Sequence, residues 1–516
     1  MVAQGTGSSE VALDGENLTL EQVEAVARRG ARVRIAPGAI ARMERAHALV
    51  QQLVESGSTV YGVNTGFGSL SDVRMGRETL GELQLNLLRS HATGVGEPLG
   101  EAEARAVMLL RANVLAKGYS GVRPALAELL VGMLNAGLHP LIPAKGSVGA
   151  SGDLIPLAHL ALVLVGEGQV LRQGQVLAGG EALRAVGLSP LSLGPKEGLS
   201  LINGTQVMTA LGSLAAASAE RLVKSADVVG SLSLDALRGT PAAFAEELQQ
   251  LRPHPGALAS GRNLVRLIEG SAIRESHRHC PALQDCYSLR CMPQVHGAAR
   301  EALRFARGVL AVEVNAATDN PLVFPEAGEV LSGGNFHGQP VAVALDALAV
   351  GLASLGNISE RRIERLVNPT LSGLPHFLSR RSGLHSGYML LQVTAAALAS
   401  ENKTLSHPAS VDTIPTSGGK EDHVSMGAHA ARKAVQVLEN VRTILAIELL
   451  CASQGVEFLR PLRSSEALER VHAALRERVP PLVEDRASRE DIATASELLE
   501  SGAILAAAED MLGPLE

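Results

Sequence analysis

The stretch A-K-G-S-V-G-A-S-G-D-L, residues 144–154, packs three glycines and two serines directly ahead of the apolar run L-I-P-L-A-H-L-A-L-V-L-V, residues 154–165. Side chains this small let a backbone come close to a partner. A phosphate cradle is one reading, but the order G-x-x-G-x-x-G lacks the G-K-[S/T] ending of a P-loop, and Lys145 precedes the glycines. A serine nucleophile is another, but Ser151 is followed by Gly152 and Asp153, which breaks the G-x-S-x-G elbow. A third is a tight turn into a helix, with Ser151 or Asp153 as its N-cap. The fourth makes the loop its own reagent. The amide nitrogen of Gly152 attacks the carbonyl carbon of Ala150, with glycine at the attacking position removing the Cβ clash. Loss of one water closes a five-membered ring, and loss of a second from Ser151 leaves an exocyclic methylene. The product is an electrophile that no standard side chain supplies. A helix starting just after it sets a positive dipole end near the ring oxygen, where charge develops when a nucleophile adds.

The chain has 516 residues, 46% hydrophobic and 19% charged, enough apolar material for a large core. Its formal net charge of -7 argues against a nucleic-acid surface. The cysteines, Cys280, Cys286, Cys291 and Cys451, show no paired C-x-x-C spacing and read as reduced thiols of a cytoplasmic protein. His277-x-His279-Cys280 does not have the spacing of a closed metal site, so no metal is expected. The start, M-V-A-Q-G-T-G-S-S-E, has neither the basic nor the apolar region of a signal peptide, and residues 1–11 are expected to be a flexible tail. The most apolar runs, 154–165 and 341–355, are interrupted by Pro156, His159 and Asp346. Neither reaches the roughly 18 clean residues of a membrane span, so no membrane partner is expected.

Gly and Pro punctuate the first part of the chain, and G-E-G-Q-V-L-R-Q-G-Q-V-L (166–177) reads as a small hairpin or loop. Helical spacing runs over 102–115 and 125–134. From about residue 205 long helical segments dominate: 341–367, apolar on nearly every side before turning charged at S-E-R-R-I-E-R, then 388–403 and 430–451. With aromatics at 2% and no Trp, the core must be Leu, Ala and Val. The expected fold is mainly α. A mixed N-terminal domain at 12–205 carries the 144–154 loop, and residues 206–516 form a bundle of long helices with C-terminal helices.

The segment G-S-V-G-A-S-G-D-L-I-P-L-A-H (146–159) resembles the signature of the aromatic amino acid ammonia-lyases, which form 4-methylidene-imidazol-5-one (MIO) from Ala-Ser-Gly. The resemblance extends over about residues 12–512. It includes Y-G-V-N-T-G-F-G (61–68), K-E-G-L-S-L-I-N-G-T-Q (196–206), Q-D-C-Y-S-L-R-C-M-P-Q-V (284–295), T-D-N-P-L-V-F (318–324), G-G-N-F-H-G-Q-P (333–340), S-E-N-K-T-L-S-H-P-A-S-V-D (400–412) and E-D-H-V-S-M-G (421–427). It implies the MIO-lyase fold, a carbon–nitrogen lyase activity, MIO formed autocatalytically from Ala150, Ser151 and Gly152, and no external cofactor. It also implies a homotetramer whose active sites draw on more than one subunit.

The family divides by substrate into histidine, phenylalanine and tyrosine lyases, with aminomutases on the same scaffold. Three features look like the histidine branch: His91 in R-S-H-A-T-G-V-G, Glu421 where the phenylalanine and tyrosine branches have an amide, and the L-S-H-P-A-S-V-D-T-I-P-T-S stretch. A carboxylate suits an imidazole substrate, because it can bond a ring N–H or favour imidazolium. Lys420 departs from the Gln that often precedes this Glu. The implied reaction is non-oxidative elimination of ammonia from L-histidine to trans-urocanate, the first step of histidine degradation. The resemblance makes Tyr61 the base for the β-proton, a phenol that needs help to act at neutral pH. It gives Arg290 the substrate carboxylate. Tyr287 acts on MIO or relays a proton, and Asn203 orients the MIO oxygen and the carboxylate. Gln284 lines the site, and Phe336 packs on MIO and substrate.

Overall fold

Helices occupy most of this chain, and the strands are few and short. The structure, a computed structural model, describes residues 10–57, 60, 62–65, 76–278 and 283–516. Its contacts divide it into two units. The first comprises residues 1–217, 307–345 and 408–432, and the second 218–306, 346–407 and 433–516. Four of the five boundaries fall inside long helices, Gln206–Ala236, Met292–Glu313, Gln339–Val367 and Gly427–Glu457, and the fifth lies between His407 and Pro408.

The first unit holds every strand named among the described residues. Val11–Leu13 pairs in parallel with Val33–Ile35, and Val95–Pro98 runs antiparallel to Pro143–Lys145, the strand that delivers the 144–154 loop. The anticipated hairpin is present: Gln169–Arg172 pairs with Gln175–Ala178, and His139–Pro140 adds a third strand. Helices Glu101–Ala116 and Pro124–Asn135 lie where their spacing placed them. The former is buried from Ala104 to Ala116 on all sides, which is why Arg105, Arg111 and Asn113 must find partners inside the protein. Ala46, Val50, Val54, Val63, Leu80 and Val323 form a separate small apolar core in the same unit.

Among the described residues, the named elements of the second unit are all helices. The expected helix at 388–403 is Met389–Leu405, and Pro255–Ile268 turns a buried face of Ala257, Leu264, Leu267 and Ile268 inward. Its interior carries ions as well as apolar groups. Arg362 and Glu448, both fully buried, meet side by side at 2.5 and 2.9 Å, and Ser233 and Ser359 donate to the same carboxylate. Asp227 accepts from His296, Arg300, Ser260 and Asn263. Burial alone would push its carboxyl up, but Arg300 and His296 hold it down at about 2.

Helix Gln339–Val367 matches the long helical segment read at 341–367, although Asp346 interrupts its apolar run. It runs unbroken for 29 residues and is long and apolar enough to cross a membrane. Yet 72% of its most apolar window is buried in protein. Asp346, on that helix, is buried and paired with Lys433 at 3.2 Å, so the helix reads as a core helix.

Candidate active site

The 144–154 loop runs from strand Pro143–Lys145 to helix Leu154–Leu164, inside the first unit. Gly152 has φ of +72°, and a Cβ there would lie 2.1 Å from the carbonyl oxygen of Gly204. No other residue fits, because the two backbones meet: Asp153 donates its N–H to Gly204 O at 2.7 Å, and Gly204 donates to Ser151 O at 3.3 Å. The far side is closed by 425–426. Ser425 Oγ donates to Gly149 O at 3.0 Å, and Met426 N–H to Val148 O at 2.9 Å. Ala150 is thereby buried, while Ser151 stays half-open with its hydroxyl aimed at Glu421.

Asp153 sits at the N-cap position of Leu154–Leu164 yet makes no cap bond to that helix. Its Oδ2 instead accepts the N–H groups of Val207 and Met208 at 3.0 and 2.9 Å, capping the start of Gln206–Ala236, and its Oδ1 accepts from Ser147 Oγ. Burial pushes this carboxyl up to about 6, against the pull of its donors and of Arg111. Its folded pKa lies above the usual 3.8, so the folded chain holds a proton that the unfolded chain releases between about 4 and 6. The stability this contributes is present below pH 4 and is lost as pH rises through about 6. Asp153→Asn is expected to flatten the melting temperature across that window, where the wild type declines.

Arg111 anchors the other flank. It is fully buried and donates to the carbonyls of Ser200 and Asn203, at 2.8 and 3.1 Å, and to Gln206 Oε1. Burial pulls its guanidinium down to about 10, with Asp319 and Asp153 opposing. Arg111→Met keeps most of the volume but orphans those acceptors. It should cost about 3 kcal/mol or more of stability, read from urea unfolding midpoints.

Glu421 lies against the loop. Its Oε1 accepts from Ser151 Oγ at 3.1 Å and its Oε2 from Thr416 Oγ1 at 2.7 Å. His91, at the end of helix Leu80–His91, bonds the Leu87 carbonyl through Nδ1 at 2.9 Å, so Nδ1 carries the proton and Nε2 is the acceptor. Burial lowers the His91 pKa, with the Leu87 bond and the Glu421 charge opposing, so the ring is neutral at pH 7. Lys420 is exposed. Phe336 is half-buried in a turn that packs on the same segment. The neighbouring His337 donates from Nε2 to the His423 carbonyl and stacks on the His423 ring at 5.7 Å, while a Cβ on Gly338 would meet Met208 and Ser425.

Thus the first unit brings together Ala150, Ser151, Gly152, Asn203, His91 and Glu421, with the Phe336 turn alongside. Tyr61, His279 and Cys280 lie outside the described residues. Gly62, next after Tyr61, packs on Leu199 and Pro321. Gln284, Tyr287 and Arg290 belong to the second unit. There Tyr287 is 70% exposed, with the Arg290 guanidinium 4.6 Å from its ring centre and Arg290 Nε buried without a partner. The sequence offered Asp153 only as a candidate N-cap and gave no role to Arg111, Thr416, Lys196 or Asp319. The last two stood inside quoted motifs, and a charge within an apolar segment was the signal for both.

The family model of aromatic amino acid lyases matches residues 18–477. The chain belongs to the aromatic amino acid lyase family. Histidine ammonia-lyase of Anaeromyxobacter dehalogenans is 58% identical over 501 residues, covering 95% of this chain and 99% of that one. The crystal structure of histidine ammonia-lyase from Trypanosoma cruzi is 46% identical, with a TM-score of 0.91 over 98% of this chain and 96% of that one. Tyrosine aminomutase from Streptomyces globisporus is 40% identical, with a TM-score of 0.94 over 98% of this chain and all of that one. As an aromatic amino acid lyase the chain uses MIO, made from its own Ala150, Ser151 and Gly152. The residues fit that group. Only glycine can occupy position 152, Ala150 is enclosed, and the Ser151 hydroxyl that must leave is hydrogen-bonded to a carboxylate.

Proposed function

We propose that this chain eliminates ammonia from L-histidine without oxidation, giving trans-urocanate, the first step of histidine degradation. The observation that carries the reading is Glu421, whose carboxylate touches Ser151 and acts on His91. Ammonia leaves poorly and the β-proton is barely acidic. The MIO ring supplies an electrophilic carbon for the amine. The chain must then hold the imidazole, grip the carboxylate and remove the β-proton. Glu421 and the neutral Nε2 of His91 offer the imidazole two acceptors. Arg290 supplies the fork for the carboxylate, with Tyr287 beside it and Gln284 nearby. Tyr61 is the base.

The exposure of Tyr287 supports a site completed by a neighbouring copy, and with it a homotetramer. The free thiols of Cys286, Cys291 and Cys451 go with a cytoplasmic location. The test is turnover of L-histidine, L-tyrosine and L-phenylalanine by purified protein, followed by ultraviolet absorbance of the unsaturated acid and by chromatography. Urocanate from L-histidine alone supports the reading. A β-amino acid product would replace it with an aminomutase, the activity named for the Streptomyces relative of equally similar backbone.

A further inference from the structure

A cavity of about 350 Å³ lies within the second unit, where the end of helix Gln206–Ala236 and the turn after helix Gln339–Val367 meet the segment ahead of Tyr287. Its walls include Arg238, Arg365, His277, Gln284, Asp285 and Gly373. That volume suits a small molecule. Neither Tyr287 nor Arg290 lines it.

Arg238 occupies a position that favours glycine. Its φ is +55°. Its N–H donates to Asp235 O at 2.9 Å and that of Gly239 to Leu234 O at 2.8 Å, which ends the helix in the motif whose left-handed residue is usually glycine. A side chain is strained there, and the strain must be offset by what the side chain does. Arg238 Nη2 donates to the Ser372 carbonyl at 3.0 Å, yet its Nε is buried without a partner. Gly373 leaves room for this guanidinium, since a Cβ there would lie 2.8 Å from Nη2. Arg365 Nη1 donates to the preceding carbonyl, Leu371 O, at 3.3 Å.

Two guanidiniums thus lean on successive carbonyls of one turn. Both arginines are half-buried, and among the described residues neither forms an ion pair. A guanidinium cannot shed its charge, and partial burial strengthens the repulsion between two of them. Among the described lining residues Asp285 is the only acid, so two fixed positive charges face one negative. Its Oδ2 is occupied by the Thr240 N–H at 2.7 Å.

We propose that this cavity binds a small oxyanion, the carboxylate or phosphate group of a metabolite-sized molecule, between the guanidiniums of Arg238 and Arg365. Their planar forks suit either group. His277 offers a ring nitrogen, and Asp285 an acceptor, to the rest of the ligand. The site is separate from the carboxylate fork read for Arg290. The inference does not depend on which amino acid the chain turns over.

Arg238→Gly separates the site from the fold. Glycine is unstrained at a left-handed position, so the variant should fold while one fork is lost. The experiment is calorimetric titration of the full-length protein with inorganic phosphate and, separately, with succinate, at an ionic strength held constant with chloride. At least one should bind at one saturable site per chain, with a dissociation constant of about 1 mM or below. Arg238→Gly and Arg365→Gln should each weaken that binding about tenfold or more, and Arg290→Met should leave it within about twofold. Binding of phosphate alone marks a phosphate ligand, and binding of succinate alone a carboxylate. No saturable binding of either, undiminished binding in Arg238→Gly or Arg365→Gln, or loss of binding in Arg290→Met overturns the inference. If one cavity variant fails to fold, the other carries the comparison. Turnover plays no part in this readout, so its failure is distinguishable from failure of the histidine reading.

Discussion

Ser151→Ala should abolish turnover of L-histidine, lowering it by at least about a thousandfold, while the protein stays folded. The two halves of this expectation separate chemistry from structure. Alanine removes one hydroxyl oxygen from a half-open position, and the bond it loses runs to Glu421, which keeps Thr416 as a donor. The backbone interlock with Gly204 does not involve that hydroxyl. Stability should therefore move by no more than about 1 kcal/mol in urea unfolding. Without the hydroxyl, however, the second water cannot leave and no methylene forms. Intact mass of the wild type should fall two waters below the sequence mass, and that deficit should be missing from the variant. Turnover persisting in a variant of unmodified mass would end the assignment of Ala150, Ser151 and Gly152 as the source of the electrophile.

What the sequence disclosed follows the range of the interactions. The hairpin at 169–178, the helices Glu101–Ala116 and Pro124–Asn135 and the long helices after residue 205 were legible because local spacing and turn residues encode them. The loop was legible because glycine is obligatory where a backbone passes another, and Gly152 against Gly204 is such a place. The partners of the loop were not legible. Asp153 was, with Ser151, a candidate cap for the helix it precedes, but its carboxylate caps another that begins more than fifty residues later, at Gln206. Lys196 and Asp319 meet across 123 residues. No periodicity records such a pairing; only the need of a buried charge for a partner hints that one exists. Similarly, Asp346 looked like an interruption of an apolar run, and inside the helix it is an ion-paired core residue. The backbone alone also leaves the substrate open, since the histidine ammonia-lyase and tyrosine aminomutase structures fit it about equally well. The distinction lies in side chains such as Glu421.

Glu421→Gln should therefore cost about a hundred- to ten-thousandfold in kcat/KM for L-histidine with little structural change. Glutamine has the same shape, and the Thr416 hydroxyl, which donates to the carboxylate, can donate to the new amide oxygen or rotate to accept from its nitrogen. What disappears is the charge. A carboxylate only accepts, so it pairs with a ring N–H of the substrate or stabilises imidazolium, and a neutral amide does the first poorly and the second not at all. Loss of the charge also removes one of the influences holding the His91 pKa up, leaving that ring still more firmly neutral. Lys420→Gln is the control. Lys420 is adjacent in sequence but exposed, and a charge in water is well screened, so its removal should change kcat/KM by less than about twofold. The two variants are compared at one pH, with intact mass verifying that each has lost two waters. If Glu421→Gln carries the full mass deficit and turns over L-histidine like the wild type, the carboxylate does not read the imidazole, and the case for histidine over tyrosine or phenylalanine loses its principal residue.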